Sequence, residues 1–190
     1  MQTLLLRKSI RAFAPVGINL DVLSQFLTLS CGLRDDVNDT TYRTYPSAGG
    51  RFPIEVYAII MHSDDLENGV YHFNVSDNCL ELIKAGNYTD KIKDFYSNQS
   101  GYIETDYPCL LLLSVVFKRT MEKYGERGYR YAMIDAGHIG QNLYLVATYL
   151  KLRIVALGSG NYSDDKLDDI IGLMHSDENV FYCFALGHPN

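Results

Sequence analysis

The sequence has few basic residues for its length. It contains 17 Lys and Arg against 23 Asp and Glu, which gives a formal net charge of −6 and a pI near 5.3. A general nucleic-acid binder needs clustered Lys and Arg to neutralise phosphates, so this class of protein is excluded. Local basic spots remain, and each of them has enough charge to bind one small anion.

Long apolar runs and a secretory signal are also missing. The apolar stretch in MQTLLLRKSIRAF is too short for a signal peptide. The run CLLLLSVVF is about half the length needed to span a bilayer. We therefore expect a cytoplasmic protein with no membrane segment.

Cysteines are few, and they form no metal-binding pattern. Cys31, Cys79, Cys109 and Cys183 are widely separated, lie in apolar runs, and show no CxxC or Cys/His spacing. The pattern argues against a metal site and predicts buried free thiols. The sequence also lacks the GKS or GKT of a Walker loop and the dinucleotide motif GxGxxG.

The composition that is present is that of an ordinary globular protein. With 190 residues, 47% of them hydrophobic, the chain can bury a substantial core, and the absence of repeats or linkers predicts one domain over residues 1–190. Strands are predicted at FPIEVYAIIMH, GVYHFNV, NCLELIKAG, PCLLLLSVVF and NVFYCFALG. Short helices are predicted at NLDVLSQFLTLSCG, YTDKIKDFYSNQ and SDDKLDDIIG. These elements indicate an α+β fold with a sheet packed by helices.

Cap residues mark the ends of two of these helices. Asn19 is the expected N-cap of the first, and Gly32 is expected to end it in the left-handed conformation. Ser163 and Gly172 have the same roles in the last short helix.

The most regular helix signal runs from Arg130 to Lys151. Apolar residues alternate spacings of four and three along one seam, formed by Ala132, Ala136, Ile139, Leu143, Val146 and Leu150. A second stripe contains Gly137, Gly140, Tyr144 and Ala147. Because glycine inside a helix costs roughly 1 kcal/mol, the small stripe indicates close approach of another backbone or a flat ligand, and tight packing within one core explains it equally well.

Two segments in the first third of the chain contain candidate binding residues. RKSIRAF, residues 7–13, places three cations and a hydroxyl together, which suits phosphate oxygens, although a solvated basic segment is the simpler reading of this motif alone. In TYRTYPSAGGRFPIEVY, residues 41–57, small residues leave backbone groups open to a planar partner just before a strand. An ordinary tight turn is the alternative.

Each of two later segments also allows a functional and a purely structural interpretation. MEKYGERGYRYAMIDAGHIGQNL, residues 121–143, contains the titratable neighbours Lys123 and Tyr124 at the mouth of the long helix, where they are suited either to proton transfer or to a solvated turn. ALGSGNYSDD, residues 156–165, is a Gly-Ser-Gly loop that follows a short apolar run. Such loops bind anions or heterocycle edges through backbone N–H groups, or merely connect two elements.

In their order and spacing, these four segments resemble the nitroreductase-like flavoproteins, and more narrowly their SagB-type thiazole/oxazole dehydrogenase branch. The resemblance extends from Arg7 to about Pro189. It implies a nitroreductase-like mixed β-sheet packed by helices. It also implies a homodimer, intertwined around the long central helix, whose two subunits build each FMN site between them.

The resemblance further implies a role for each matching residue. Catalysis is assigned to the pair Lys123 and Tyr124. The FMN phosphate is assigned to Arg7, Ser9 and Arg11, with Lys8 as a weaker candidate. The isoalloxazine edge is assigned to Pro46, Ser47, Ala48 and Gly49, with Arg43 reaching its pyrimidine side. Backbone groups on the opposite side are assigned to Gly158, Ser159 and Gly160.

The implied reaction is oxidation of a thiazoline or oxazoline to the aromatic azole. One member of the Lys123–Tyr124 pair removes the Cα proton while hydride passes from Cβ to flavin N5, and molecular oxygen or another acceptor reoxidises the flavin. The substrate would be a small molecule or a modified peptide.

This sequence departs from the family pattern in two respects. The last strand is followed by Gly187, His188, Pro189 and Asn190, where many members have a basic residue that helps to bind phosphate. The chain is also short for the peptide-modifying members. Two other functions therefore remain open: an NAD(P)H-dependent nitro- or quinone reductase, and a non-enzymatic flavin-binding dimer.

Overall fold

A six-stranded sheet forms the centre of the computed structural model, which describes residues 2–34, 42–96, 107–158, 164–174 and 176–190. The strands are β1 Ile54–Ile60, β2 Gly69–Asn74, β3 Cys79–Ala85, β4 Cys109–Val116, β5 Arg153–Leu157 and β6 Glu178–Gly187. Their order in the sheet is β3-β2-β1-β4-β6-β5. All five neighbouring pairs are antiparallel rather than of mixed direction.

Helices cover both faces of this sheet. In the described part of the chain they are α1 Gln2–Leu6, α2 Leu20–Cys31, α3 Thr89–Tyr96, α4 Phe117–Tyr124, α5 Arg127–Tyr149 and α6 Asp164–Ile171. Buried residues of α2 and α5 share one core with one face of the sheet, whereas those of α3 and α6 share a second core with the opposite face. The predicted α+β fold, with a sheet packed by helices, is therefore confirmed.

Side-chain alternation explains why two cores form on one sheet. In β1, Val56 and Ala58 point into the α2/α5 core, whereas Tyr57 and Ile59 point into the α3/α6 core. Strand β4 is buried along nearly its whole length, as its continuous apolar run predicted. The central strands of the sheet are therefore covered on both faces, whereas the edge strand β3 is exposed.

Helix α5 begins three residues before the predicted start, at Arg127, and ends at Tyr149. Gly140 is buried, and a Cβ atom added there would lie 3.0 Å from the Tyr182 ring, so this glycine allows close packing of α5 on β6. Gly137 is exposed, and a Cβ atom there would meet nothing within 4 Å. Packing within the chain therefore explains Gly140 but not Gly137, and close approach of another backbone or a flat ligand at Gly137 stays a prediction.

The predicted helix ends have mixed outcomes. Asn19 caps α2, since its Oδ1 accepts a hydrogen bond of 2.9 Å from the Val22 N–H. Gly32 is not left-handed: its φ is −72°, because the chain leaves α2 extended to form the bridge between Leu33 and Arg43. Gly172 does end α6 with a φ of +84°, and the predicted cap Ser163 lies outside the described residues.

The cysteines also depart partly from expectation. Cys31, Cys109 and Cys183 are buried, and burial raises the pKa of the Cys31 thiol to about 12. Cys79 is exposed because it begins β3, a strand at the edge of the sheet. The prediction of a buried thiol is therefore wrong at this position.

Among the described residues, no helix is both long and apolar enough to cross a membrane. The organisation of residues 1–190 as one domain stays a prediction.

Candidate functional site

The small-residue turn before β1 forms the first part of the site. Residues Ala48–Gly50 make a single 3₁₀ turn, and Gly49 has a φ of +63°, a conformation that favours glycine. The Ser47 hydroxyl donates to Asp135 Oδ2 at 2.5 Å and accepts a hydrogen bond of 2.9 Å from the Phe52 N–H. The turn is therefore held from both sides by Ser47.

Asp135 anchors this turn to α5. Its carboxylate also accepts a hydrogen bond from the Ala48 N–H, and the residue is only 2% exposed. Burial raises the pKa of Asp135, while the hydrogen bonds from Ser47 and Ala48 and the nearby His138 act in the opposite direction. Asp135 was not predicted as a site residue. Its position next to Ala136, on the apolar seam of the long helix, could have indicated a buried acid with a polar partner.

The candidate catalytic pair lies directly over the same turn. A Cβ atom added to Gly49 would be 2.8 Å from Lys123 Nζ and closer still to Tyr124 Oη. Both residues come from the last turn of α4, and the Tyr124 ring contacts the Tyr131 ring edge-on at 5.0 Å. Lys123 is exposed and Tyr124 is half-buried, so both functional atoms can reach a molecule in solution.

We call this group the loop cluster: Ser47, Ala48, Gly49, Lys123 and Tyr124. A cavity of about 290 Å³ adjoins it between the turn and the outer side of α5. The cavity is lined by Pro46, Ser47, Ala48, Tyr131, Ile134, Asp135 and His138.

The basic N-terminal segment forms a second group near the other end of α5. Ser9 Oγ lies 3.1 Å from Tyr144 Oη, and the Ala156 N–H donates to the same phenol oxygen at 2.8 Å. The Arg7 guanidinium lies over the Tyr144 ring, 5.3 Å from its centroid. We call this group the N-terminal cluster: Arg7, Ser9, Tyr144 and Ala156.

Backbone hydrogen bonds place this segment beside the sheet. The Ile10 N–H donates to the Ile154 carbonyl, and the Ala14 N–H donates to the His188 carbonyl. Arg11 is exposed. Lys8 lines a separate cavity of about 260 Å³ with Lys151 and Arg153, so it does not join Arg7 and Ser9.

The remaining predicted residues have different positions. Arg43 donates to the Tyr45 phenol at 3.1 Å and lies over the Phe52 ring at 4.7 Å, so it supports the turn from within the chain. Gly158 follows β5 and is exposed. A Cβ atom added at this position would have no neighbour within 4 Å. Ser159 and Gly160 lie outside the described residues.

The two clusters together have the features that a flavin mononucleotide requires. One has an exposed turn of small residues at Gly49 with Lys123 and Tyr124 beside it, and the other has a cation and hydroxyls suited to phosphate. They contact α5 at Asp135 and Tyr144, nine residues and therefore about 13 Å apart along the helix. The residues present thus fit a ligand that is flat at one end and anionic at the other.

No group of three or more His, Cys, Asp and Glu able to hold a metal ion occurs among the described residues.

Three curated relatives share sequence with this chain. A nitroreductase-like protein of Methanocaldococcus jannaschii is 29% identical over 88% of this chain and 81% of its own length. The trifolitoxin-processing protein TfxB of Rhizobium leguminosarum bv. trifolii is 30% identical over 75% of this chain. The microcin B17-processing protein McbC of Escherichia coli is 30% identical over 58% of this chain. The match covers 40% of TfxB and 42% of McbC, and both relatives support the resemblance to the SagB-type branch.

Solved structures show the same fold. The E. coli microcin synthetase McbBCD complex with truncated pro-MccB17 bound matches with a TM-score of 0.80 at 22% identity, over 97% of this chain and 70% of that chain. A nitroreductase-like protein of Desulfovibrio desulfuricans in complex with FMN matches with a TM-score of 0.61 at 18% identity, over 99% and 84% of the two chains.

The family model described as the Nitroreductase family matches residues 4–188, nearly the whole sequence. The match includes both clusters and the helix that links them. The chain therefore belongs to the nitroreductase family, whose members generally bind flavin, and it is an oxidoreductase enzyme.

Proposed function

We propose that this protein is an FMN-dependent dehydrogenase of the SagB type that oxidises a thiazoline or oxazoline to the corresponding azole. The observation that carries the proposal is the position of Lys123 Nζ and Tyr124 Oη directly over Gly49, in the small-residue turn before β1. A nitroreductase scaffold needs only to bind and reduce flavin. A paired amine and phenol at the rim adds groups that hold and move a proton.

The two clusters divide the binding of FMN between them. Arg7, Ser9 and Arg11 bind the phosphate, and residues 46–49 contact the edge of the ring system. When bound there, FMN would supply the hydride acceptor of the reaction, with oxygen or another acceptor as the final oxidant.

The site is assembled in a homodimer. Helix α5 has an exposed outer side that includes Ile134 and Gly137, and Leu4, Leu5 and Leu6 of α1 are all more than half exposed. Such apolar surface beside a cofactor site suits contact with a second copy of the chain.

Within the loop cluster, one of Lys123 and Tyr124 removes the Cα proton of the azoline. Both reactive atoms face the same glycine, so a substrate ring on the flavin face is within reach of either group. The other group can donate a hydrogen bond to the base before the transfer and so hold it in position.

A modified peptide is a suitable substrate for this arrangement. The loop cluster lies at the end of the sheet and is open to solvent at Gly49 and Lys123, so an azoline can enter while still part of a longer chain. The likeness to the trifolitoxin-processing protein TfxB and the microcin B17-processing protein McbC supports the same class of substrate.

The first test is the absorption spectrum of the purified protein, followed by identification of the released chromophore. The proposal expects FMN and a dimer. The second test is incubation of the FMN-loaded protein with an azoline-containing peptide, read as a mass loss of two hydrogens. A colourless protein that does not bind added FMN would contradict the proposal.

Variants of the pair test its catalytic role. Lys123→Ala and Tyr124→Phe are each expected to slow azoline oxidation by about 10²–10⁴-fold, the range for general acid–base groups, while FMN stays bound. Lys118→Ala, at an exposed position on the same helix, is the matched control and is expected to retain activity. Parallel loss of FMN and activity in the pair variants would mark these residues as structural.

A second candidate is an NAD(P)H-dependent nitro- or quinone reductase. The M. jannaschii relative favours this function. The match covers 81% of the length of that relative but less than half of TfxB or McbC. Rapid flavin reduction by NADH or NADPH, with turnover of a nitroaromatic that is unaffected by Tyr124→Phe, would favour this function over azoline oxidation.

A further inference from the structure

Arg119 connects the catalytic helix to the turn and to the sheet. It lies on α4 one helical turn before Lys123, so the two side chains share one face of that helix. Its Nη1 donates to the Phe52 carbonyl at 3.0 Å and forms an ion pair with Glu55. Arg119 therefore contacts the end of the turn and the start of β1 at the same time.

The Phe52 backbone requires such support. Its φ is +44°, a left-handed conformation that is costly for a residue with a side chain. Its N–H donates to Ser47 Oγ and its carbonyl accepts from Arg119, so both of its peptide groups are held. The conformation of Phe52 thus depends on α5, through Ser47 and Asp135, and on α4, through Arg119.

Glu55 gives Arg119 a fixed partner on the sheet. The Glu55 side chain is 13% exposed, and its second oxygen lies 3.0 Å from His72 Nε2. His72 Nδ1 in turn lies 3.1 Å from Glu81 on β3. A row of hydrogen-bonded ionisable side chains thus runs from Glu81 at the sheet edge through His72 and Glu55 to Arg119 on α4. The Arg119 side chain is itself 41% exposed, and its contacts with Glu55 and Phe52 tie it to β1 and the turn.

We propose that Arg119 is the positioning residue of the loop cluster, and that its contacts with Phe52 and Glu55 set the distance between the Lys123–Tyr124 pair and Gly49. The inference rests on the proposed function for its catalytic consequence. The structural part of the inference, that Arg119 ties α4 to the turn, depends only on the observed contacts. The Arg119 guanidinium belongs to the helix that contains the pair, and it binds Phe52 at the end of the turn and Glu55 on β1.

The test compares Arg119→Ala and Arg119→Lys with Lys118→Ala, a charge-matched control at the preceding, exposed position of α4. Arg119→Ala is expected to slow azoline oxidation about 10²-fold, since a displacement of about 1 Å in a catalytic group costs that much. The FMN dissociation constant should change less than about threefold, because Asp135 still holds the turn. Arg119→Lys should lie between, since lysine keeps the positive charge but its side chain is shorter and lacks the planar guanidinium that places Nη1 between Phe52 and Glu55.

Two further readouts separate positioning from general loss of structure. Added guanidinium should restore at least part of the activity of Arg119→Ala and none of that of Lys123→Ala. Amide hydrogen exchange of residues 117–124 should accelerate in Arg119→Ala and slow again with guanidinium, while exchange along α5 stays unchanged.

The outcomes distinguish the two proposals. If the FMN-loaded wild type oxidises no azoline, the proposed function fails, and hydrogen exchange alone still decides the role of Arg119. If the wild type is active, wild-type activity in Arg119→Ala would overturn the inference. FMN loss in proportion to activity, or unchanged exchange of residues 117–124, would overturn it as well.

Discussion

The loop cluster and the N-terminal cluster lie toward opposite ends of α5 and are built in different ways. The loop cluster is held by ionisable side chains, with the buried Asp135 under the turn and Glu55, paired with the partly exposed Arg119, beside it. The N-terminal cluster depends on one phenol, Tyr144, which hydrogen-bonds to Ser9 and to the Ala156 N–H.

This difference suits two different tasks. A catalytic pair must stand at a fixed distance from its target before the substrate arrives, and the contacts of Asp135 and Arg119 would give such support to the proposed pair Lys123 and Tyr124. A phosphate site needs cations that keep their charge available to a ligand, and Arg7 has an aromatic contact here, with no carboxylate partner among the described ion pairs. Substitutions in the loop cluster should therefore alter the reaction rate, and substitutions in the N-terminal cluster should alter FMN affinity.

Gly49→Ala is expected to have the largest effect. Alanine would be strained at a φ of +63°, and its Cβ would collide with the functional atoms of Lys123 and Tyr124. Displacement of the pair should lower the rate of azoline oxidation at least about 10²-fold, measured with FMN at saturation. Gly50→Ala is the control, because its φ is +64° but no atom lies within 4 Å of its added Cβ. Equal losses in both variants would show that backbone strain, rather than the collision, is responsible.

Arg7→Ala tests the other side of the comparison. Loss of a charge-assisted contact to the phosphate should cost about 1.5–3 kcal/mol, or roughly 10- to 150-fold in the FMN dissociation constant, with the rate at saturating FMN nearly unchanged. Fluorescence titration of the FMN-free protein measures this constant. Lys166→Ala, an exposed position on α6, removes the same charge elsewhere. If both variants weaken FMN binding equally, Arg7 has no specific role.

Tyr144→Phe should mainly lower stability. The Ala156 N–H would lose its acceptor, which costs about 1–3 kcal/mol for a half-buried group, and the free energy of unfolding in urea should fall by that amount. FMN affinity should also fall, because Ser9 loses its contact with the Tyr144 phenol. An unchanged free energy of unfolding would show that water replaces the phenol at Ala156.

The smallest expected effect concerns the pH dependence of stability. The hydrogen bond that the His72 ring donates to the Glu55 carboxylate raises the pKa of His72, burial opposes the increase, and the contact with Glu81 adds to it. Because the folded-state pKa is the higher one, the stabilisation is fully present below the unfolded value of about 6.5 and is lost as pH rises through the folded value.

Urea unfolding of the wild type and of His72→Gln across this range measures that contribution. The difference in unfolding free energy between the two should shrink with rising pH. His62→Gln, which removes a histidine at an exposed position, is measured in parallel as the control. A pH-independent gap for His72→Gln would contradict the assignment.

Local chemistry was enough to predict much of the fold. Apolar period, capping and turn residues act over a few positions, so the buried run of β4, the Asn19 cap and the long helix were all predicted correctly. The same logic failed at Gly32, where a bridge to Arg43 decides the backbone, and at Cys79, where the edge position of β3 decides exposure.

The candidate site shows the same difference between what consecutive residues indicate and what tertiary contacts decide. The sequence by itself determined the family, the two candidate binding motifs and the Lys123–Tyr124 pair, because each of these is written in consecutive residues. Only the tertiary structure decided that the pair stands over Gly49, that Asp135 binds Ser47, and that Arg119 reaches Phe52. These contacts join residues far apart in the chain, and their geometry depends on how α4 and α5 pack against the sheet, which no local pattern encodes.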